Sequence, residues 1–344
     1  MPSLLPPICS RQRILVALTP RERSQFFSVA DAASLEAGNV HWATPEEMSP
    51  EAWHTTVTSG NPEVLVSAWA TPTLPEAWLA SPSCPLRYVC HVTGSVRRLV
   101  PRVFLERCGL VTNWGGLVSP QVAEHALLLA LGSLRNLPTW KPFIAQPIDE
   151  RCIREINTLS LFGRTVGLHG FGGVARAIIP LLRPFGTRIL GYSAGVPGDV
   201  LRSVGVEPAA SLEELFSASE VLFECESLTP ATYGCVTREI LRRLPHDAVF
   251  VNVARGGLVD EHALVEAAHE KRIRVAVDVS DHEPLTPAAP ICQIPEVLAS
   301  PHIAAPTHDQ YPHCGARALH NLRCYLKGKP TPDLVDLIRY DRAT

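Results

Sequence analysis

Short runs of β-branched and apolar residues recur along this chain, each separated from the next by room for about one helix. In the first third they are Arg13–Leu18, Gly38–Trp42, Glu63–Ala68, Leu86–Val92 and Leu110–Asn113. Between them, Pro20–Ala30, Ser49–Ser59 and Arg97–Cys108 have helical spacing. The rhythm restarts at Arg164, with Thr165–Gly170, a helix to about Arg183, and Thr187–Tyr192. Strand-like runs follow at Val221–Glu224, Ala248–Val253, Ile273–Asp278 and Val297–Ser300, with helices at Leu212–Ala218, Arg238–Leu244 and Asp260–Lys271. Strands alternating with helices at this pitch are βαβ units, and they build parallel sheets. The fold class is α/β, and 344 residues at roughly 150 per domain suggest two domains.

Proline supports the same reading. The 31 prolines argue against a long helical bundle and suit short elements joined by turns. The stretch 71–85 reads as loop. Ser119-Pro120 reads as N-cap and first residue of a helix to Leu137. Its body is apolar on nearly every face, which predicts burial between domains or against a second subunit. A last helix spans His308–Gly328.

The remaining composition excludes several functions. A net charge of −3 points to neither nucleic acid nor an anionic membrane. The ten cysteines form no CxxC pair, and His302, His308 and His313 lack the i, i+4 pairing of a zinc site, so no metal is expected. Pro6, Pro7 and Arg11 interrupt any signal-like segment, and the apolar run Ala126–Leu131 is too short to span a bilayer. A cytoplasmic location is expected.

The first sharp chemical signal is Thr165-Val-Gly-Leu-His-Gly-Phe-Gly-Gly-Val-Ala175. It reads strand, glycine-rich turn, helix. Gly170 and Gly172 take the first two positions of GxGxxG, and Ala175 the third in its permitted form. Such a turn brings backbone and a helix N-terminus to a pyrophosphate, so it predicts a dinucleotide site. The second strand should end in an acid for the adenosine ribose. Ser193 stands there instead, with Arg188 and Arg202 as the nearest cations. The cofactor is NAD or NADP, with NAD favoured.

Further motifs give the chain a resemblance to the D-isomer-specific 2-hydroxyacid dehydrogenases, strongest from Asn113 to His302 and weak before Glu63. Gln121-Val-Ala-Glu-His125 resembles the family's interdomain helix, and Leu161–Gly170 its entry into the nucleotide domain. Val251–Asp260 is similar to the arginine signature, Asp278–Leu285 to the glutamate signature, and Ser300-Pro-His-Ile-Ala304 to the histidine signature. The resemblance implies a Rossmann dinucleotide-binding domain, 120–302, inserted into a flavodoxin-like substrate domain, 1–119 plus 303–344. It implies a homodimer, and a cleft between the domains that closes on a small 2-oxo or 2-hydroxy acid.

It also implies roles. Arg255 would bind the substrate carboxylate and polarise the carbonyl, as a planar guanidinium can. His302 would be general acid in reduction and general base in oxidation, paired with Glu283, which favours its protonated form. Thr93, Gly94 and Ser95 would hold the substrate carboxylate through backbone amides. The cofactor residues would be Gly170, Gly172, Gly173, Val174, Ser193, Ser227, Val253 and Asp278, the last on the nicotinamide carboxamide. Ser227 replaces the family's usual proline, and Glu224 and Glu226 are unusual in a loop expected near the cofactor. The expected activity is interconversion of a 2-hydroxy acid and a 2-oxo acid by hydride transfer. Rival readings are a non-catalytic, corepressor-like nucleotide sensor and, more distantly, oxidation of formate or phosphite.

Overall fold

The structure is a computed structural model that describes residues 12–36, 39–145 and 156–342. Cys9, Cys152, Gly38 and the segment with Pro6, Pro7 and Arg11 lie outside the described residues. The chain divides into two units: Met1–Val118 with Thr307–Thr344, and Ser119–Pro306.

The first unit holds a five-stranded sheet: β1 (Ile14–Ala17), β2 (Val40–Ala43), β3 (Val64–Ser67), β4 (Tyr88–His91) and β5 (Leu110–Thr112). Their order is β2-β1-β3-β4-β5, all neighbours parallel. This is the flavodoxin-like doubly wound order. Leu15, Ala17, Leu65, Val89 and Val111 join a core with Trp53, Val57 and Phe104.

The second unit holds seven strands: β6 (Thr165–His169), β7 (Arg188–Tyr192), β8 (Glu207–Pro208), β9 (Val221–Glu224), β10 (Val249–Asn252), β11 (Arg274–Val277) and β12 (Leu298–Ala299). The order β12-β11-β10-β9-β6-β7-β8 is all parallel, as in a Rossmann sheet with one added strand. Strand alternation explains the layers. Val221, Phe223, Val249 and Val251 face one core with the helices Ser119–Leu134 and Gly173–Leu182. Leu222 and Phe250 face the opposite core with Leu212–Ala218, Arg238–Leu241 and Glu261–His269. Strands buried on both faces need apolar side chains in both directions, hence their continuous apolar runs. Strand order reverses between β6 and β9, so a crevice opens at their carboxyl ends.

Several elements differ from the sequence reading. The helix from Pro20 ends at Phe26 because Phe27 turns extended, and a second helix covers Val29–Glu36. The segment Arg97–Cys108 is helical only over Arg102–Glu106, since Pro101 is extended and cannot donate into a preceding turn. The loop 71–85 contains a short helix, Glu76–Ala80. The helix expected to Leu137 stops at Leu134, followed by left-handed Asn136 and then Pro138. Within the single chain its Leu128 is 55% exposed. Among the described residues no helix is long and apolar enough to cross a membrane.

One buried polar group in the first unit has a thermodynamic consequence. His91 ends β4, with Nδ1 3.0 Å from Ser67 Oγ and Nε2 2.6 Å from Thr93 Oγ1. Burial pushes its imidazole from 6.5 down to about 4, against an opposing backbone hydrogen bond at Ser95. The unfolded chain therefore takes up a proton that the folded chain refuses, and stability falls as pH drops from 6.5 towards 4. Wild-type stability in urea should decline over this window by up to roughly 3 kcal/mol from this group. The pH dependence should be shallower in His91→Gln; equal slopes would contradict the assignment.

Candidate active site

Arg255 follows β10 and is placed by the strand's last residue. Asn252 is buried; its Oδ1 accepts from the Ala254 amide at 3.0 Å and its Nδ2 donates to the Arg255 carbonyl at 3.1 Å. These bonds shape the turn that carries the guanidinium out of the strand. The next residue must be glycine. A Cβ on Gly256 would lie 2.0 Å from the Ser280 carbonyl carbon and 2.2 Å from the Asp281 amide nitrogen. That close approach locks the arginine turn against the segment after β11, which carries Glu283. Burial lowers the Arg255 pKa from its ordinary value, and the Glu283 charge opposes the shift. Arg255 Nη1 also donates to the Ala254 carbonyl at 2.6 Å.

Glu283 and His302 meet directly, with His302 Nδ1 2.6 Å from Glu283 Oε2. The His302 side chain is 46% exposed, so its ring is not sealed in the core. Its backbone has φ of +55°, a left-handed conformation uncommon for a residue with a side chain. Such a conformation persists where surrounding bonds enforce it. Here Asp278 does so. Its carbonyl accepts from the His302 amide at 2.9 Å. Its Oδ1 accepts from Ser300 Oγ at 2.6 Å and the Ile303 amide at 3.0 Å, and its Oδ2 from the Ala304 amide at 3.0 Å. Burial opposes ionisation, but hydrogen bonds from His125, Ser300, Ile303 and Ala304 outweigh it and hold the carboxyl below its ordinary value. His125 Nε2 lies 2.8 Å from Ser300 Oγ. The second unit therefore runs to Pro306 rather than ending at His302: residues 303 and 304 hang from Asp278. Asp278, Glu283, Pro284, Leu285, Pro301 and His302 line a cavity of about 210 Å³.

The glycine-rich turn lies at the carboxyl end of β6. Gly170 has φ of +89°, and a Cβ there would lie 2.5 Å from the Glu226 backbone. Gly172 faces open space, with nothing within 4 Å of an added Cβ. A Cβ on Gly173 would crowd Ser119 Oγ at 2.5 Å, while the neighbouring Val174 is half-buried. The helix Gly173–Leu182 starts with no side-chain cap. Its first amides can thus serve an anion, so the turn fits a dinucleotide pyrophosphate. Asp278 fits the carboxamide reading in one respect: Ser300, Ile303 and His125 meet its Oδ1, and the Ala304 amide on Oδ2 leaves a second acceptor position there.

The unusual acids of the β9 loop have partners. Glu224 pairs with His169, Oε2 to Nδ1 at 2.5 Å, both side chains buried. Burial disfavours the imidazolium, but the Glu224 carboxylate outweighs it and raises the His169 pKa. Glu224 Oε1 accepts from the Glu226 amide at 2.9 Å. Glu226 Oε1 accepts from the Ser227 amide at 2.8 Å, and its Oε2 from Ser193 Oγ at 2.6 Å. Val253 is buried beside this loop, its amide reaching the Glu224 carbonyl at 3.4 Å.

His169, Asn252, His125 and Gly256 were not singled out from the sequence. The signal for His169 was a polar residue closing an apolar strand, matched by Glu224 closing another; β6 and β9 pair these two in register. In the first unit, Thr93 is buried on His91, Gly94 leaves room for the Trp114 ring at 2.6 Å from a built Cβ, and Ser95 is exposed. The described residues contain no group of three or more His, Cys, Asp or Glu side chains that could hold a metal ion.

Residues 127–304 match the family profile described as D-isomer specific 2-hydroxyacid dehydrogenase, NAD binding domain. The chain is 30% identical over 233 residues to a D-3-phosphoglycerate dehydrogenase of Methanocaldococcus jannaschii, covering 67% of this chain and 44% of that protein. It therefore spans less than half the length of that relative. It is 28% identical over 277 residues to a glyoxylate reductase of Korarchaeum cryptofilum, covering 80% of this chain and 82% of that one. A glyoxylate reductase structure from Paecilomyes thermophila superposes with a TM-score of 0.79 at 22% identity, covering 94% and 98% of the two chains, and shares the fold.

If Asp278 holds the His302 turn, Asp278→Asn should raise hydrogen exchange at Ile303 and Ala304 by roughly tenfold or more, leaving the helix Gly173–Leu182 unchanged. Unaltered exchange at those two amides would contradict this role.

Proposed function

Because this chain belongs to the D-isomer specific 2-hydroxyacid dehydrogenase family, we propose that it interconverts a small 2-oxo acid and its 2-hydroxy acid, using a nicotinamide dinucleotide. The observation that carries this reading is the 2.6 Å contact between His302 Nδ1 and Glu283 Oε2. With Nδ1 donating to the carboxylate, Nε2 is the nitrogen left to exchange a proton with substrate. A bound nicotinamide dinucleotide would supply the hydride chemistry, as donor in reduction and acceptor in oxidation. His302 then gives a proton from Nε2 to the carbonyl oxygen, or takes it back in the reverse direction. Arg255 receives the substrate carboxylate through paired N–H donors and stabilises charge growing on the neighbouring oxygen. Asp278 contributes by holding the His302 turn, with its open Oδ2 position proposed for the carboxamide. Gly170, Gly172, Gly173 and Val174 receive the pyrophosphate, with Ser193, Ser227 and Val253 along the same cofactor.

The test is loss of reduced-nicotinamide absorbance with glyoxylate, hydroxypyruvate and pyruvate. His302→Ala should lower kcat by roughly 10²- to 10⁴-fold with dinucleotide binding retained. Arg255→Ala should act mainly on kcat/KM. No turnover of any 2-oxo acid despite dinucleotide binding would favour the nucleotide-sensor reading, and unchanged turnover in His302→Ala would overturn the proposal.

A homodimer and a cytoplasmic location belong to the same proposal. The exposed Leu128 on the helix Ser119–Leu134 supports association. Light scattering at micromolar concentration should give twice the 37.5 kDa chain mass; a monomer there would contradict the dimer.

A further inference from the structure

The second strand of the dinucleotide sheet ends without the acid that usually receives the adenosine ribose. We propose that Glu226, from the loop after β9, supplies that carboxylate and selects against a 2′-phosphate, making the chain an NADH rather than an NADPH user. The inference rests on the dinucleotide reading above.

Three observations place Glu226 there. Ser193 follows the last residue of β7, the position of the ribose acid in this strand order, and its hydroxyl donates to Glu226 Oε2 at 2.6 Å. The Glu226 backbone is packed on Gly170, the first glycine of the phosphate turn, where a Cβ would come within 2.5 Å of its Cα and nitrogen. The carboxylate is also built in. Its Oε1 accepts from the Ser227 amide at 2.8 Å, and the Glu226 amide is fixed by Glu224 Oε1 at 2.9 Å. Glu224 is itself held by buried His169. Four polar residues from three strand ends thus fix one carboxylate beside the phosphate turn.

Each Glu226 oxygen uses one acceptor position on protein and keeps another. Two free positions on a fixed carboxylate suit the paired 2′- and 3′-hydroxyls of a ribose. A 2′-phosphate in the same place would set about two negative charges against a third. Arg188 does not offset this. It begins β7, five residues before Ser193 or roughly 16 Å along an extended strand, and it is paired with Glu207 at 2.5 Å. Arg202 ends the helix Gly198–Arg202, with Nη1 3.3 Å from a Cβ built on Gly198.

The test is direct titration of the full chain with NADH and with NADPH, by nicotinamide fluorescence or calorimetry, without substrate. The wild type should bind NADH at least roughly tenfold more tightly. Glu226→Gln, which keeps the shape and removes the charge, should narrow that ratio by about tenfold, chiefly through tighter NADPH binding. Ser193→Ala keeps the charge and should keep the preference, with weaker NADH binding. Equal binding or an NADPH preference in the wild type overturns the inference whatever the variants do, and leaves the hydride-transfer reading standing. An unchanged ratio in folded Glu226→Gln overturns it as well. Failure to bind either dinucleotide removes both readings together.

Discussion

The site depends on one buried carboxylate. Asp278 closes β11 and accepts from Ser300, Ile303 and Ala304 while its carbonyl receives the His302 amide. A left-handed histidine is a conformation the chain avoids when free. A ring of short bonds makes it the resting geometry here. Glu283 can then meet Nδ1 with the ring already oriented, and the other nitrogen stays available. Proton transfer benefits from such fixing, because a group positioned before the reaction needs no reorganisation during it.

The same logic operates at the neighbouring strand ends, β10 beside β11 and β6 across the switch point. Asn252 and Gly256 shape the turn that presents Arg255. Gly170 lets the β9 loop lie against the phosphate turn, and His169 with Glu224 fills the space below with a paired charge. A buried ion pair adds little net stability over well-packed apolar residues, yet losing one partner leaves an uncompensated charge. Its role here is geometric: it fixes the Glu226 amide.

Much of this was legible in the sequence. The central strands of the nucleotide unit, β6, β9, β10 and β11, were recognisable because they are buried on both faces and so are largely apolar; β8, two residues long and partly exposed, left no such signal. Arg255, Glu283 and His302 stand in local motifs, each after its own strand-like run, and local motifs survive without knowledge of strand order. Reading failed where the partner was remote. His169 and Glu224 are 55 residues apart and meet only through the β6–β9 register. Asp278 was recognisable as an acid at a strand end, but its bonds to the next strand's turn were not. The helix predicted over Arg97–Cys108 was misjudged because its spacing was weighed above Pro101. The helix from Ser119 was recognisable as apolar on most faces, but composition does not say which stripe meets the sheet and which, with Leu128, faces outward from the single chain.

The central claim is that His302, held by Glu283, gives the proton that completes hydride transfer to a 2-oxo acid. The most direct measurement uses nicotinamide deuterated at its reactive carbon, with mass spectrometry of the hydroxy acid formed. Wild-type protein should place deuterium on C2 of the product, and His302→Gln should bind the dinucleotide but form that product far more slowly. Absence of label from every 2-oxo acid tried, or label delivered by His302→Gln at the wild-type rate, would contradict the account.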